Sequence, residues 1–140
     1  MSDHSETPIF EGGCLCGALR YRAVGHPRSV NHCHCRMCRK AGGAPFVTWA
    51  TFARAAVSIT AGEPTFYRSS AIAERGFCAQ CGSAMIWRST RGSDEIDITA
   101  GTLDDPNMLN PRDHIWTENA PPWLHLADGL PRYPRERGST

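Results

Sequence analysis

Seven cysteines carry most of the chemical information in this 140-residue chain. Cys14 and Cys16 form a C-x-C in GGCLCGALRY, and Cys78 and Cys81 form a C-x-x-C in RGFCAQCGSA. Between them, Cys33, Cys35 and Cys38 form a C-x-C-x-x-C in NHCHCRMCRK. Residues two apart on an extended chain point to the same side, so Cys14 and Cys16 can face one ion. In the C-x-x-C pair a tight turn brings the sulfurs together, and Gly82 can take the positive φ on which such turns often end; Gly17 follows Cys16 in the same way. Two such pairs, far apart in sequence, complete a closed tetrahedral Cys14, Cys16, Cys78, Cys81 set, the usual structural arrangement for zinc.

The central triplet has no fourth cysteine left to it. Three protein ligands with one position open is how catalytic zinc sites are built. An open position beside three soft sulfurs suits an incoming thiolate or a water. The alternative is closure by His32 or His34 as a Cys₃His site. Alternation along an extended chain turns both histidines away from Cys33 and Cys35, which favours the open site. The triplet is flanked by Arg36, Arg39 and Lys40, which are candidates for pairing with substrate carboxylates and equally readable as a solvated basic face. The four tryptophans, Trp49, Trp87, Trp116 and Trp123, are candidates to line a pocket, but aromatics in strands are more often core. Trp116 and Trp123 flank TENAPP and are the pair expected to border a cleft. Glu118 and His114 are candidate proton-transfer groups.

The elements that must position these groups are short. Ala18 to Val24 alternates Leu19, Tyr21 and Ala23 against Arg20 and Arg22. Pro45–Phe52, Val57–Thr60, Thr65–Arg68, Ala84–Arg88 and Glu95–Ala100 read similarly as strands. Helical periodicity is confined to a turn or two near Arg36–Ala41 and near Asp105–Leu109. With 13 glycines and 10 prolines punctuating the chain, the pattern predicts a mainly β fold with few short helices. One unit is expected over residues 8–134, with loose polar ends at 1–7 and 135–140.

Bulk properties narrow the function class. No run of about eighteen apolar residues is present, so no membrane-spanning helix is expected. The first residues, MSDHSETPIFEGG, lack the basic start and apolar stretch of a secretory signal. A cytoplasmic, reducing setting is therefore expected, in which clustered cysteines mean metal or catalysis rather than disulfides. The formal charge of +1 would turn slightly negative with seven thiolates on two Zn²⁺ ions. Nucleic acid is thus not an expected partner, because the basic excess that drives phosphate binding is missing.

Three segments in this order, GGCLCGALRY, NHCHCRMCRKAGGAPFVTW and RGFCAQCGSAMIW, resemble the glutathione-dependent formaldehyde-activating enzyme family, whose domain is shared with centromere protein V. IDITAGTLDDP and HIWTENAPPWLHLADGLPRYP are similar to that family's C-terminal half, so the likeness runs from about Gly12 to Pro134. The resemblance implies an Mss4-like zinc-binding β-sheet fold with two zinc ions. In it Cys14, Cys16, Cys78 and Cys81 would hold the structural ion, and Cys33, Cys35 and Cys38 the ion tied to activity. It also implies carbon–sulfur lyase chemistry on an S-hydroxymethylglutathione-like adduct, with glutathione as the small-molecule partner. A thiol or zinc carrier without turnover, or an interaction module, is the alternative on the same fold.

Overall fold

The computed structural model describes residues 6–140. Among these, ten strands and one α-helix follow in chain order: β1 (Ile9–Gly13), β2 (Arg20–Val24), β3 (Ser29–Cys33), α1 (Arg36–Gly42), β4 (Val47–Ala53), β5 (Val57–Ala61), β6 (Thr65–Arg68), β7 (Ala73–Phe77), β8 (Ala84–Ser89), β9 (Glu95–Thr99) and β10 (Asp113–Ile115). The fold is mainly β. The runs that alternate in sequence are strands within a residue or two of the expected ends. The segment near Asp105 is a short 3-10 turn at Pro106–Met108, capped by the Asp105 carboxylate. β1, β3, β7 and β10 escape the periodicity reading. They carry two glycines (β1), Asn31 and His32 (β3), Glu74, Arg75 and Gly76 (β7), or only three residues (β10), so their apolar alternation is broken.

The strands form two sheets. The small one has the order β1-β2-β5, and the large one β10-β3-β4-β9-β8-β7-β6. All pairings are antiparallel except β10 with β3. Period-two alternation decides which face of each sheet is apolar. Phe10, Tyr21 and Ala23 of the small sheet are buried together with Val30, Ala50, Phe52, Ile86, Ile96 and Ile98 of the large one. The Phe10 and Phe52 rings meet edge-on at 5.5 Å. Hydrophobic burial between these faces holds the two sheets together.

The same alternation places a different set on the far face of the large sheet. Ser29, Thr51, Asp97, Trp87 and Arg75 stand in one cross-strand row, and Asn31, Trp49 and Thr99 in the next. The end of the chain crosses the β10 edge. His114 donates its backbone N–H to Pro131 O (2.9 Å), Tyr133 donates to His114 O (2.9 Å), and Trp116 donates to Arg135 O (2.8 Å). Arg137 pairs with Asp113 and donates to Ser29 Oγ at 2.9 Å. The C-terminal residues expected to be loose are therefore tied down, because Asp113 is a buried carboxylate that needs a cation. The loose N-terminal end expected at 1–7 lies mostly outside the described residues.

Candidate active site

The two cysteine clusters are built in different ways. Cys14 and Cys16 lie in the β1–β2 turn, and Cys78 and Cys81 in the β7–β8 turn. Each turn closes on itself: Gly17 N–H donates to Cys14 O (3.1 Å), and Gly82 N–H to Cys78 O (2.8 Å). Both glycines have the positive φ expected, 83° and 82°. Leu15 N–H reaches Ser83 Oγ at 2.9 Å and ties one turn to the other. All four sulfurs lie within 4.8 Å of one another; Cys14 and Cys16 are 3.6 Å apart, and Cys16 and Cys78 3.8 Å. A tetrahedron with metal–sulfur bonds of about 2.3 Å, the length typical of zinc–thiolate, has edges of about 3.8 Å. The donor set therefore fits a tetrahedral, thiophilic ion, and the separations are far from those of a disulfide. The Ser83 hydroxyl, 3.2 Å from Cys81 Sγ, helps hold that thiol down to about 5. The N–H of Leu19 donates to Cys14 Sγ at 3.2 Å.

The second cluster comes from one continuous segment. Cys33 ends β3, Cys35 caps α1, and Cys38 sits in its first turn. The cap is a hydrogen bond from Cys38 N–H to Cys35 Sγ at 3.3 Å. At the other end Gly43, at φ 61°, closes the helix by donating to Arg39 O. Cys33 and Cys38 sulfurs are 3.5 Å apart, again near a tetrahedral edge. Hydrogen bonds from Cys33 and Cys38 push the Cys35 thiol far down in pKa, while Cys33 moves far up. Deprotonated sulfur is what metal binding requires.

Among the described residues no fourth metal-ligating side chain joins the triplet. His32 and His34 both turn away. His32 Nδ1 meets Thr48 Oγ1 at 2.7 Å, and His34 Nε2 meets His114 Nδ1 at 2.9 Å. His114 Nε2 in turn lies 2.7 Å from Asp128 Oδ2. Because a carboxylate only accepts, His114 donates from Nε2 to Asp128, and its Nδ1 shares a proton with His34 Nε2. This chain, buried at its two histidines, fastens the C-terminal segment to the segment between Cys33 and Cys35. His32, His114 and Asp128 are close enough to share an ion, but His114 is already committed to both neighbours. As a proton-transfer candidate His114 is corrected: it is fully buried and lies outside the cavity at the cysteines. Glu118 is exposed and also outside it.

The triplet opens into a cavity of about 490 Å³, within the range of small-molecule sites. Its walls include Asn31, Trp49, Trp87, Asp97, Arg75, Arg36 and Trp116. Arg36, Met37, Trp49 and Arg75 also line an adjoining cavity of about 920 Å³, to which Lys40 contributes. Of the basic residues beside the triplet, Arg36 and Lys40 thus face cavities. Arg39 lines neither, and its Nε is buried without a partner among the described residues. Trp116 lines the site, held in a left-handed conformation at φ 58°. Trp123, expected beside it, is 67% exposed and lies outside, because Pro121 begins a turn closed by Leu124 N–H that carries it outward. Trp49, expected as core, is buried with Cys33 and Cys38, and Trp87 packs partly buried against that cluster; both also wall the cavity, on the far face of the large sheet.

No motif marks Arg75 or Asp97. Arg75 lies over the Trp49 ring (6.0 Å) with Nη2 3.8 Å from Cys38 Sγ, and its Nε is buried without a partner among the described residues. Asp97 accepts from Thr51 Oγ1 at 2.6 Å, and burial raises its carboxyl to about 6. The only signal available for Asp97 is an acid between two isoleucines in a short strand.

A mainly β protein with two cysteine clusters, one opening into a cavity, has the donor sets of a metal–thiolate protein. The chain belongs to the glutathione-dependent formaldehyde-activating enzyme family, whose model matches residues 9–119. A Halomonas elongata protein, named provisionally as a glutathione-dependent formaldehyde-activating enzyme, is 32% identical over 127 residues, covering 84% of this chain and 81% of its own. An uncharacterized lyase of Schizosaccharomyces pombe is 33% identical over 93 residues, 66% of this chain and 67% of its own. A solved structure of a Rhodobacter sphaeroides protein matches with a TM-score of 0.57 at 22% identity, over 72% of this chain and 91% of that one, and supports the fold.

Proposed function

We propose that the protein is a zinc-dependent carbon–sulfur lyase that joins and separates a glutathione-like thiol and formaldehyde at Cys33, Cys35 and Cys38. The observation that carries this reading is three converging sulfurs at a cavity, with no fourth metal-ligating side chain among the described residues. The family and the names borne by the two relatives point the same way. A second zinc on Cys14, Cys16, Cys78 and Cys81 is assigned a structural role, since four thiolates leave it no open position.

Zinc held by the triplet would supply Lewis acidity and keep an added thiol deprotonated at neutral pH. The chain itself does the rest. Arg36, Arg75 and Lys40 offer fixed positive charge to the carboxylates of a glutathione-like molecule. Trp49, Trp87 and Trp116 exclude water around the reacting carbon and strengthen those charge interactions.

The test is exchange of formaldehyde with S-hydroxymethylglutathione, followed by NMR with intact and metal-stripped protein. Acceleration by the metallated protein alone is the expected result. Exchange no faster than in buffer, with zinc bound, would replace this reading with that of a thiol or zinc carrier.

A further inference from the structure

The cavity's ionisable walls narrow to one proton-transfer group. Cys33, Cys35 and Cys38 are assigned to the metal, and Arg36 and Arg75 carry guanidinium groups, which have donors and no acceptor site. The remaining ionisable residue among those lining the cavity is Asp97. We propose that Asp97 is the acid–base residue of this site: its carboxylate takes the hydroxyl proton of an S-hydroxymethyl thiol as the carbon–sulfur bond breaks. The proton moves to Asp97, the carbon–oxygen single bond becomes formaldehyde's double bond, and the carbon–sulfur electron pair leaves with sulfur as thiolate. In the addition direction the thiolate attacks formaldehyde, and Asp97 returns the proton to the oxygen. No oxidant or reductant enters. The proposal rests on the thiol–aldehyde reading above.

The sheet places the carboxylate for this task. Trp49 pairs with Thr99 and Thr51 with Asp97, so Asp97 is the diagonal cross-strand neighbour of Trp49. Cys33 and Cys38 form a buried cluster with Trp49. The carboxylate therefore stands beside the residue that packs against the sulfurs, and both line the same cavity. Among the described residues Asp97 also lacks a cation. Trp87 stands between Asp97 and Arg75 in the cross-strand row, and the one hydrogen bond found to the acid comes from Thr51. The other charged groups lining the cavity are Arg36 on α1, Arg75 on β7 and the three cysteines; Glu95, two residues along β9, is paired with Arg28. Burial, with Glu95 adding to it, puts the acid's titration near 6, where it can both give and take a proton near neutrality. An ion-paired aspartate would be a far weaker base.

The proposal is tested in the metallated full chain with S-hydroxymethylglutathione. Asp97→Asn is expected to slow release of formaldehyde by about 100-fold or more, with unchanged zinc content. The wild-type rate should rise with pH through about 6, and the variant should lose that rise. Asp97→Glu should recover part of the rate. An Asp97→Asn rate within about threefold of wild type, with the same pH profile, overturns the assignment and leaves the thiol–aldehyde reading intact. Wild-type protein that does not accelerate exchange overturns both. Should Asp97→Asn fail to fold, carboxyl ¹³C NMR of the wild type decides: titration near 6 supports the proposal, and titration near the ordinary 3.8 overturns it.

Discussion

At the scale of single residues, the chemistry divides between groups that sequence spacing announces and groups that it does not. Cysteines at C-x-C and C-x-x-C spacing have few other uses in such close sets. An aspartate between two isoleucines has many. Asp97 nevertheless leaves a thermodynamic signature. Its folded pKa of about 6 lies above the ordinary 3.8, so the folded state holds a proton that the unfolded state has released between those values. The acid's contribution to stability is thus most favourable below about pH 4 and is lost as pH rises through about 6. We expect Asp97→Asn to stabilise the metallated protein at about pH 7.5, by at most roughly 3 kcal/mol, with the gain shrinking as pH falls toward about 4.5. Denaturant unfolding at a series of pH values checks this. Equal stability above neutrality would show that the folded protein solvates this carboxylate well.

At the scale of elements, close backbone approach matters more than intrinsic propensity. Gly12 sits in β1, a weak strand by composition, because its neighbours leave no space there. A Cβ at this position would lie 2.4 Å from the backbone oxygen of Thr102 and 2.4 Å from the Tyr21 hydroxyl. Gly12 also bridges to Leu103, where the chain leaves the large sheet. Gly12→Ala should therefore lower stability by about 1–3 kcal/mol. The thermal midpoint of the metallated variant measures the effect, and a midpoint equal to wild type would mean that the 100–103 segment shifts freely. α1 shows the same dependence on local chemistry. At seven residues it is too short to persist alone, and both its ends are made by neighbours, the Cys35 sulfur at one and Gly43 at the other.

At the scale of the whole molecule, the two cysteine clusters bear different mechanical loads. Cys14 and Cys16 belong to a turn of the small sheet, and Cys78 and Cys81 to a turn of the large one, so the four-cysteine cluster joins the two sheets. The triplet joins only the end of β3 to the start of α1. Metal bound at the first cluster would therefore feed global stability, and metal at the second would feed local order. Cys81→Ser should sharply lower the thermal midpoint and soluble yield. Cys35→Ser should reduce zinc from two ions to one per chain while the fold and its melting change little. Elemental analysis and thermal melts of both variants check the division. Equal destabilisation, or loss of both ions in Cys35→Ser, would remove the two-site account. No helix among the described residues is long and apolar enough to cross a membrane.

By itself the sequence determined the grouping of cysteines, the mainly β character and the family. Each of these rests on spacings within a short stretch of chain, or on a motif order read along it. Alternation also turns His32 and His34 away from the triplet, and the structure finds both engaged elsewhere. The tertiary structure decided what surrounds the sulfurs. Trp49, Trp87, Arg75 and Asp97 reach one cavity because β4, β8, β7 and β9 pair in a non-sequential order and register. That register comes from matching apolar faces across the sandwich, a long-range property that no local window contains. Long-range pairing likewise fixes the C-terminal residues and gives Asp97 a neighbourhood in which a carboxyl can work near neutral pH, whereas the turn from Pro121 to Leu124 carries Trp123 outward.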